Sequence, residues 1–206
     1  MKVGVIDYGM GNLFSVISAL EMLGADIKIC RIPNSLKEVD KIILPGVGAF
    51  KDCMNTIINS GFQEALTKEV IELGKPIYGI CLGLQIMGQK SYEFGEHKGL
   101  GWFKGDVIEL KPNIKKLRVP HVGWNNVNYN FDSPLFAGLP ESPDFYFVHS
   151  FYLECQLDED IDATCDYGQS ITSAIRKDNI FATQFHPEKS QDFGLKVLEN
   201  FLSWVP

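Results

Sequence analysis

Lys75-Pro76-Ile77-Tyr78-Gly79-Ile80-Cys81-Leu82-Gly83-Leu84-Gln85 is the stretch on which the rest of the chain is organised. A short apolar run after a proline reads as a buried strand, and Leu84-Gln85-Ile86-Met87 beyond it reads as the start of a helix. Between them stands Gly79-x-Cys81-x-Gly83, the thiol counterpart of the G-x-S-x-G nucleophile elbow. A sharp strand-to-helix turn holds the central residue in a strained conformation with its side chain over the sheet edge. The residues two before and two after it come close together and have to be small. The first turn of the following helix offers free N–H groups and partial positive charge, which favour thiolate over thiol. Taken alone, Cys81 is equally at home as one more small buried hydrophobe.

Upstream, strands alternate with helices. Val3 to Ile6, Ile27 to Cys30 and Lys41 to Leu44 read as strands. Leu13, Val16, Ile17, Leu20 and Leu23 recur at helical spacing until Gly24, and further helices are expected around Met54 to Ile58 and Phe62 to Leu73. This alternation predicts an α/β fold with a parallel sheet covered on both faces. In such sheets ligands lie outside the carboxyl ends of the strands, so the loops at 7–12, 45–48 and 81–85 gather at one edge. Downstream, Gly105 to Leu110, Leu117 to Val119, Phe145 to Leu153, Ile171 to Arg176 and Ile180 to Phe185 read as short strands, an antiparallel extension of the same sheet. A closing helix has Ser190 as its N-cap, Asp192 in its first turn, and Phe193, Val197, Phe201 and Val205 as its apolar stripe.

The 206 residues, 45% of them hydrophobic, suit one domain over 1–206. A net charge of −7 and a pI near 5.1 argue against nucleic acid or an anionic membrane as the principal partner. Five scattered cysteines without a C-x-x-C pair point away from a disulfide framework and a zinc site and toward a reducing, cytoplasmic setting. The opening Met1-Lys2-Val3-Gly4-Val5 runs straight into a strand rather than a signal peptide. Gly9-x-Gly11 is a fragment of the dinucleotide fingerprint, with Phe14 where its third glycine belongs, so no cofactor is expected. No metal-binding or phosphate-binding motif accompanies it.

A catalytic thiol needs a base. Of the four histidines, His97 sits in a polar loop and reads as solvated, while His121 and His149 adjoin apolar segments and suit core or edge positions. His186 lies in Phe185-His186-Pro187-Glu188. Pro187 biases His186 toward extended geometry, and two residues on, Glu188 projects to the same side and can hold the far ring nitrogen. Cys81, His186 and Glu188 then form nucleophile, base and orienter. A strand end followed by a proline turn with a solvated glutamate is the plainer reading of the same residues. Pro45-Gly46-Val47-Gly48 follows a buried strand, and its glycines let a peptide N–H beside Val47 rotate toward an oxyanion. The amide of Leu82 is a second donor.

Together these blocks resemble class I, triad-type glutamine amidotransferases. Ile6 to Leu13 (IDYGMGNL), Leu44 to Phe50 (LPGVGAF), Pro120 to Asn125 (PHVGWN), Tyr146 to Ser150 and His186 to Gln191 are similar to the glutaminase subunits of imidazole glycerol phosphate synthases. The resemblance implies a flavodoxin-like three-layer αβα fold, with Cys81, His186 and Glu188 as the catalytic triad. It places Gly46, Val47, Gly48, Leu82, Gln85 and Ser150 around the substrate glutamine. Asn12, Trp124, Asn125 and Lys189 fall in blocks that face a partner, the cyclase subunit, which receives ammonia and makes imidazole glycerol phosphate in histidine biosynthesis. Trp124 would be the docking anchor, with a core aromatic as the plain alternative reading of the same residue. Phe151 stands where relatives often carry Tyr. A paralogous glutaminase feeding a sugar-amidating synthetase in surface-glycan biosynthesis has the same active-site pattern. A thiol hydrolase or redox sensor on the same fold is the reading from a different class.

Overall fold

The computed structural model describes residues 1–114 and 117–206. In chain order the elements are β1 (Lys2–Ile6), α1 (Leu13–Met22), β2 (Asp26–Cys30), β3 (Lys41–Gly46), α2 (Phe50–Asn59), α3 (Phe62–Leu66), β4 (Ile77–Cys81), α4 (Leu82–Gln85), β5 (Lys90–Ser91), β6 (His97–Lys98) and β7 (Gly105–Glu109). They continue as β8 (His121–Asn126), β9 (Asn128–Tyr129), β10 (Asp144–His149), β11 (Phe151–Cys155), β12 (Ile161–Asp166), β13 (Ser170–Lys177), β14 (Ile180–Thr183) and α5 (Gln191–Ser203).

The main sheet has eight strands in the order β2-β1-β3-β4-β14-β13-β12-β9. The first five are parallel neighbours and the rest pair antiparallel. Alternation along the central strands explains the layers. Ile43, Tyr78 and Phe181 face a core shared with Val16 and Leu20 of α1 and Val197 and Phe201 of α5. Ile42, Leu44 and Ile77 face the other, with Phe50 and Ile57 of α2, Phe62 of α3 and Leu84 of α4. Strands buried on both faces read as continuous apolar runs, as Ile42-Ile43-Leu44 does. Lys41, at the start of β3, is buried and donates to the carbonyls of Phe201, Leu202 and Trp204, so the main sheet grips the C-terminus of α5.

The C-terminal half departs from a simple extension. Besides β13, β12 and β9, it forms a separate pair β10-β8 and a four-stranded sheet β11-β7-β5-β6. Phe145 to Leu153 is two strands, because the chain turns at Ser150 and exchanges pairing with β8 for pairing with β7. Leu117 to Val119 is not a strand; the strand begins at His121, inside the Pro120 to Asn125 block, which was not read as a strand. The helix expected to Leu73 becomes one π-helical turn over Thr67–Glu72, where the carbonyl of Val70 takes the side-chain amide of Asn179. Val205 lies beyond α5 and is exposed, while Trp204 closes the core instead. Ser190 occupies the position before α5, but its hydroxyl is engaged elsewhere. No helix among the described residues is long and apolar enough to cross a membrane.

Candidate active site

The sheet order builds the site. β4 lies between β3 and β14, so the loops leaving their carboxyl ends come to opposite sides of Cys81. Gly46, the last residue of β3, pairs with Cys81 itself, and Thr183, the last of β14, pairs with Ile80.

Cys81 has φ 55° and ψ −104°, a left-handed conformation for a residue with a side chain. The neighbouring glycines make it possible. A Cβ on Gly83 would lie 2.1 Å from the Leu44 carbonyl oxygen, and one on Gly79 would lie 2.9 Å from the Gly83 carbonyl. Gly46 is equally constrained, its missing Cβ 2.8 Å from the Tyr8 hydroxyl, which itself donates to the Pro45 carbonyl at 2.9 Å. Gly48 has φ +100°, a conformation that glycine supplies without strain. The helix after Cys81 is shorter than expected: α4 is a single turn, Leu82–Gln85, so its macrodipole adds little and specific donors matter more.

His186 comes from the end of β14. Its backbone is extended, φ −98° and ψ 98°, and its Nδ1 lies 2.8 Å from Glu188 Oε1 with both side chains enclosed. Glu188 reaches the ring because Pro187–Lys189 forms one 3₁₀ turn, not because the chain stays extended. Ser190 explains why the imidazole is fixed. Its hydroxyl donates to the His186 carbonyl and accepts from Tyr146 N–H, while His186 N–H donates to the Tyr146 carbonyl. His186 Nε2 and Glu188 Oε2 are buried without hydrogen-bond partners. Burial alone would disfavour the imidazolium, but the adjacent Cys81 sulfur, and then Glu188, raise its pKa well above the ordinary histidine range. No hydrogen bond joins the two side chains in this geometry, so the effect on His186 is one of proximity.

The remaining histidines are committed elsewhere. His149 Nδ1–H donates to the Phe151 carbonyl at 2.9 Å, leaving Nε2 to accept from His121 Nδ1 at 3.0 Å. Burial holds both neutral, with pKa values of about 3 for His149 and about 4 for His121. His97 is half-buried with its Nε2 enclosed, not solvated as its surroundings suggested.

A cavity of about 450 Å³ opens over Cys81. Val47, Gly48, Leu82, Gln85, Ser150, His186 and Lys189 line it, as do Glu93, which the sequence reading did not single out, and His149, which it assigned to a core or edge position. Gly46 and Glu188 sit behind that lining. Glu93 is the one carboxylate on the wall; its Oε2 also accepts from Phe50 N–H at 2.6 Å at the first turn of α2. Gln184, also unforeseen, lies with its Nε2 3.6 Å from Cys81 Sγ. Period-two spacing from His186 was the signal for it.

Around the cavity mouth Val47, Val122 and Val148 are exposed, and Phe94 is 88% exposed. Trp124, 45% exposed, meets Tyr146 edge to face, with Lys189 Nζ 5.7 Å from the Tyr146 centroid. Asn125 alternates to the opposite side of β8, where its amide donates to the Asp166 carbonyl. Asn12 lies at the entry to α1, its amide donating to Ser15 Oγ. Its neighbour Gly11 packs near Pro45 of the glycine loop. Chemically, the arrangement offers a sulfur at a tight bend, a buried imidazole with an acid behind it, and a pocket roomy enough for an amino acid.

Residues 4–204 match the model of the glutamine amidotransferase class-I family. The chain is 46% identical to imidazole glycerol phosphate synthase subunit HisH 1 of Campylobacter jejuni (strain RM1221), covering 97% of this chain and 98% of that one. It is 44% identical to the HisH subunit of Syntrophotalea carbinolica over 96% of this chain and 97% of that one. Among solved structures it is similar to PurLQS from Thermotoga maritima, with a TM-score of 0.75, 20% identity, and coverage of 98% and 97%.

Proposed function

The chain belongs to the class-I glutamine amidotransferase family, and from that premise we propose that it is the glutaminase subunit of an imidazole glycerol phosphate synthase, working in the cytoplasm with residues 1–206 as one catalytic domain. The observation that carries this reading is the convergence of Cys81, His186 and Glu188 at the carboxyl edge of β4 and β14, beneath a cavity sized for an amino acid.

The Cys81 thiolate adds to the side-chain amide carbon of glutamine. The oxyanion is received by the N–H of Leu82 and a peptide N–H beside Val47, where Gly46 and Gly48 permit the needed rotation. His186 gives its proton to the departing nitrogen, and the tetrahedral adduct collapses to a glutamyl thioester and ammonia. Its raised pKa keeps that proton available at neutral pH. The neutral imidazole then takes a proton from water, which attacks the thioester, releasing glutamate and the thiolate. Glu188 keeps the imidazole in the productive orientation throughout. Glu93 suits the α-ammonium of the bound amino acid, while Gln85 and the Ser150 corner bound the rest of the pocket.

Free ammonia is protonated in neutral water, so it is useful only if handed directly to a second active site. The exposed apolar rim of Val47, Phe94, Val122 and Val148, with Trp124 beside it, suits a partner docked over the cavity mouth. That partner is the cyclase subunit, which consumes the ammonia in making imidazole glycerol phosphate for histidine biosynthesis. Trp124, Lys189 and Asn12 contact it directly, and Asn125 supports the strand that presents Trp124. Ammonia release from glutamine, measured with and without the cyclase subunit and its ribulosyl phosphate ligand, tests the assignment. Stimulation on the order of tenfold to a hundredfold is expected; release that is indifferent to the cyclase contradicts it. Trp124→Ala is expected to weaken the complex by about 2 kcal/mol in a titration, with the protein's own fold unchanged.

A further inference from the structure

We propose that Gln184 is a further catalytic residue, whose side-chain amide donates a hydrogen bond to the Cys81 sulfur and holds it as a thiolate. The proposal rests on reading Cys81 as the nucleophile. Gln184 is completely buried and its Nε2 lies 3.6 Å from Cys81 Sγ. It reaches the sulfur from the same strand end as His186. The backbone is pinned on either side, Gln184 N–H to the Ser173 carbonyl at 2.8 Å and His186 N–H to the Tyr146 carbonyl at 2.9 Å. Phe185 between them points the other way, stacked on Phe145 with ring centroids 4.0 Å apart. Residues 184 and 186 therefore face the nucleophile together.

The direction of the amide follows from its neighbours. The Phe151 carbonyl can only accept, and it takes Gln85 Nε2 at 2.8 Å. The same nitrogen lies 3.1 Å from Gln184 Oε1. Gln184 thus turns its oxygen toward Gln85 and its NH₂ toward the sulfur. The reversed amide would set donor against donor at Gln85 and oxygen against thiolate at Cys81. One carbonyl on β11 fixes the sense of two buried amides, and the result aims an N–H at the sulfur.

A hydrogen bond to an ionised acceptor is stronger than one between neutral groups. Here it favours the thiolate before attack on the amide. It also receives the thiolate when water displaces it from the thioester. Gln184 acts on the sulfur directly and on no proton, a role separate from that of His186.

The test is the pH dependence of Cys81 alkylation by iodoacetamide, followed on the peptide that carries Cys81, together with residual glutamine hydrolysis. Gln184→Met keeps length and near-equal volume but has no donor. Its alkylation midpoint should rise by about one pH unit, with a reaction roughly tenfold slower at pH values well below the parental midpoint. Gln184→Asn keeps an amide one methylene too short to span both partners; it should shift the midpoint in the same direction and serves if the methionine variant does not fold. A midpoint equal to that of the parent in either folded variant overturns the role of Gln184. If alkylation of Cys81 in the parent leaves glutamine hydrolysis intact, the reading of Cys81 itself fails instead.

Discussion

Cys81→Ala should release ammonia from glutamine at least about 10⁴-fold more slowly than the parent, measured with the cyclase subunit and its ligand present. The loss is chemical and not structural. Alanine keeps the β-carbon, so the strained backbone at φ 55° is neither relieved nor worsened. The sulfur is small and buried, and its removal leaves a void of about one atom, costing on the order of 1 kcal/mol. His186 remains held by Glu188 and by the Ser190–Tyr146 ring of hydrogen bonds. The variant is therefore expected to fold, to bind the cyclase subunit normally and to be catalytically inert. Release at the parental rate from a folded Cys81→Ala protein would remove Cys81 from the reaction.

The second large effect is on stability. Gly83→Ala places a methyl group 2.1 Å from the Leu44 carbonyl oxygen, well inside any real contact, and that oxygen belongs to the backbone of the central strand β3. No side chain can yield to accommodate it, so either the elbow or the strand has to move. A cost above about 3 kcal/mol is expected in urea unfolding, with activity lost in whatever fraction folds. Gly74→Ala is the contrasting control. Gly74 has a positive φ, +70°, which Gly83 in its helical turn does not, and nothing lies within 4 Å of its added Cβ, so the cost there is backbone strain alone, about 1 kcal/mol. Equal costs for the two would show that the close approach of α4 to β3 is not what demands a glycine at 83.

Much of this site was legible in the sequence because its parts are local. The elbow is a five-residue pattern, and His186, Pro187 and Glu188 are consecutive. The parallel half announces itself through continuous apolar strands alternating with helical periodicity. What local patterns could not give was strand order and partnering. Phe145 to Leu153 is interrupted only by His149-Ser150, and two polar residues between strand-like halves do not by themselves say that the chain turns there and changes sheets. His121 to Asn126 contains Gly123 and two polar ends, so it lacks a strand's usual composition; its pairing with β10 makes it one. The His121–His149 pair, which leaves His186 as the available base, joins residues 28 apart. Ser190 read as a helix cap because its position is right, but its hydroxyl serves the His186 backbone. Gln184 was within reach: two residues before His186 on an extended stretch, it had to share that residue's side.

The central claim is that glutamine turnover passes through a thioester on Cys81. Hydroxylamine competes with water for such an intermediate. With the cyclase subunit and its ligand present, rising hydroxylamine should convert product from glutamate to γ-glutamyl hydroxamate, while Cys81→Ala yields neither. Glutamate as the sole product at every hydroxylamine concentration would contradict the account.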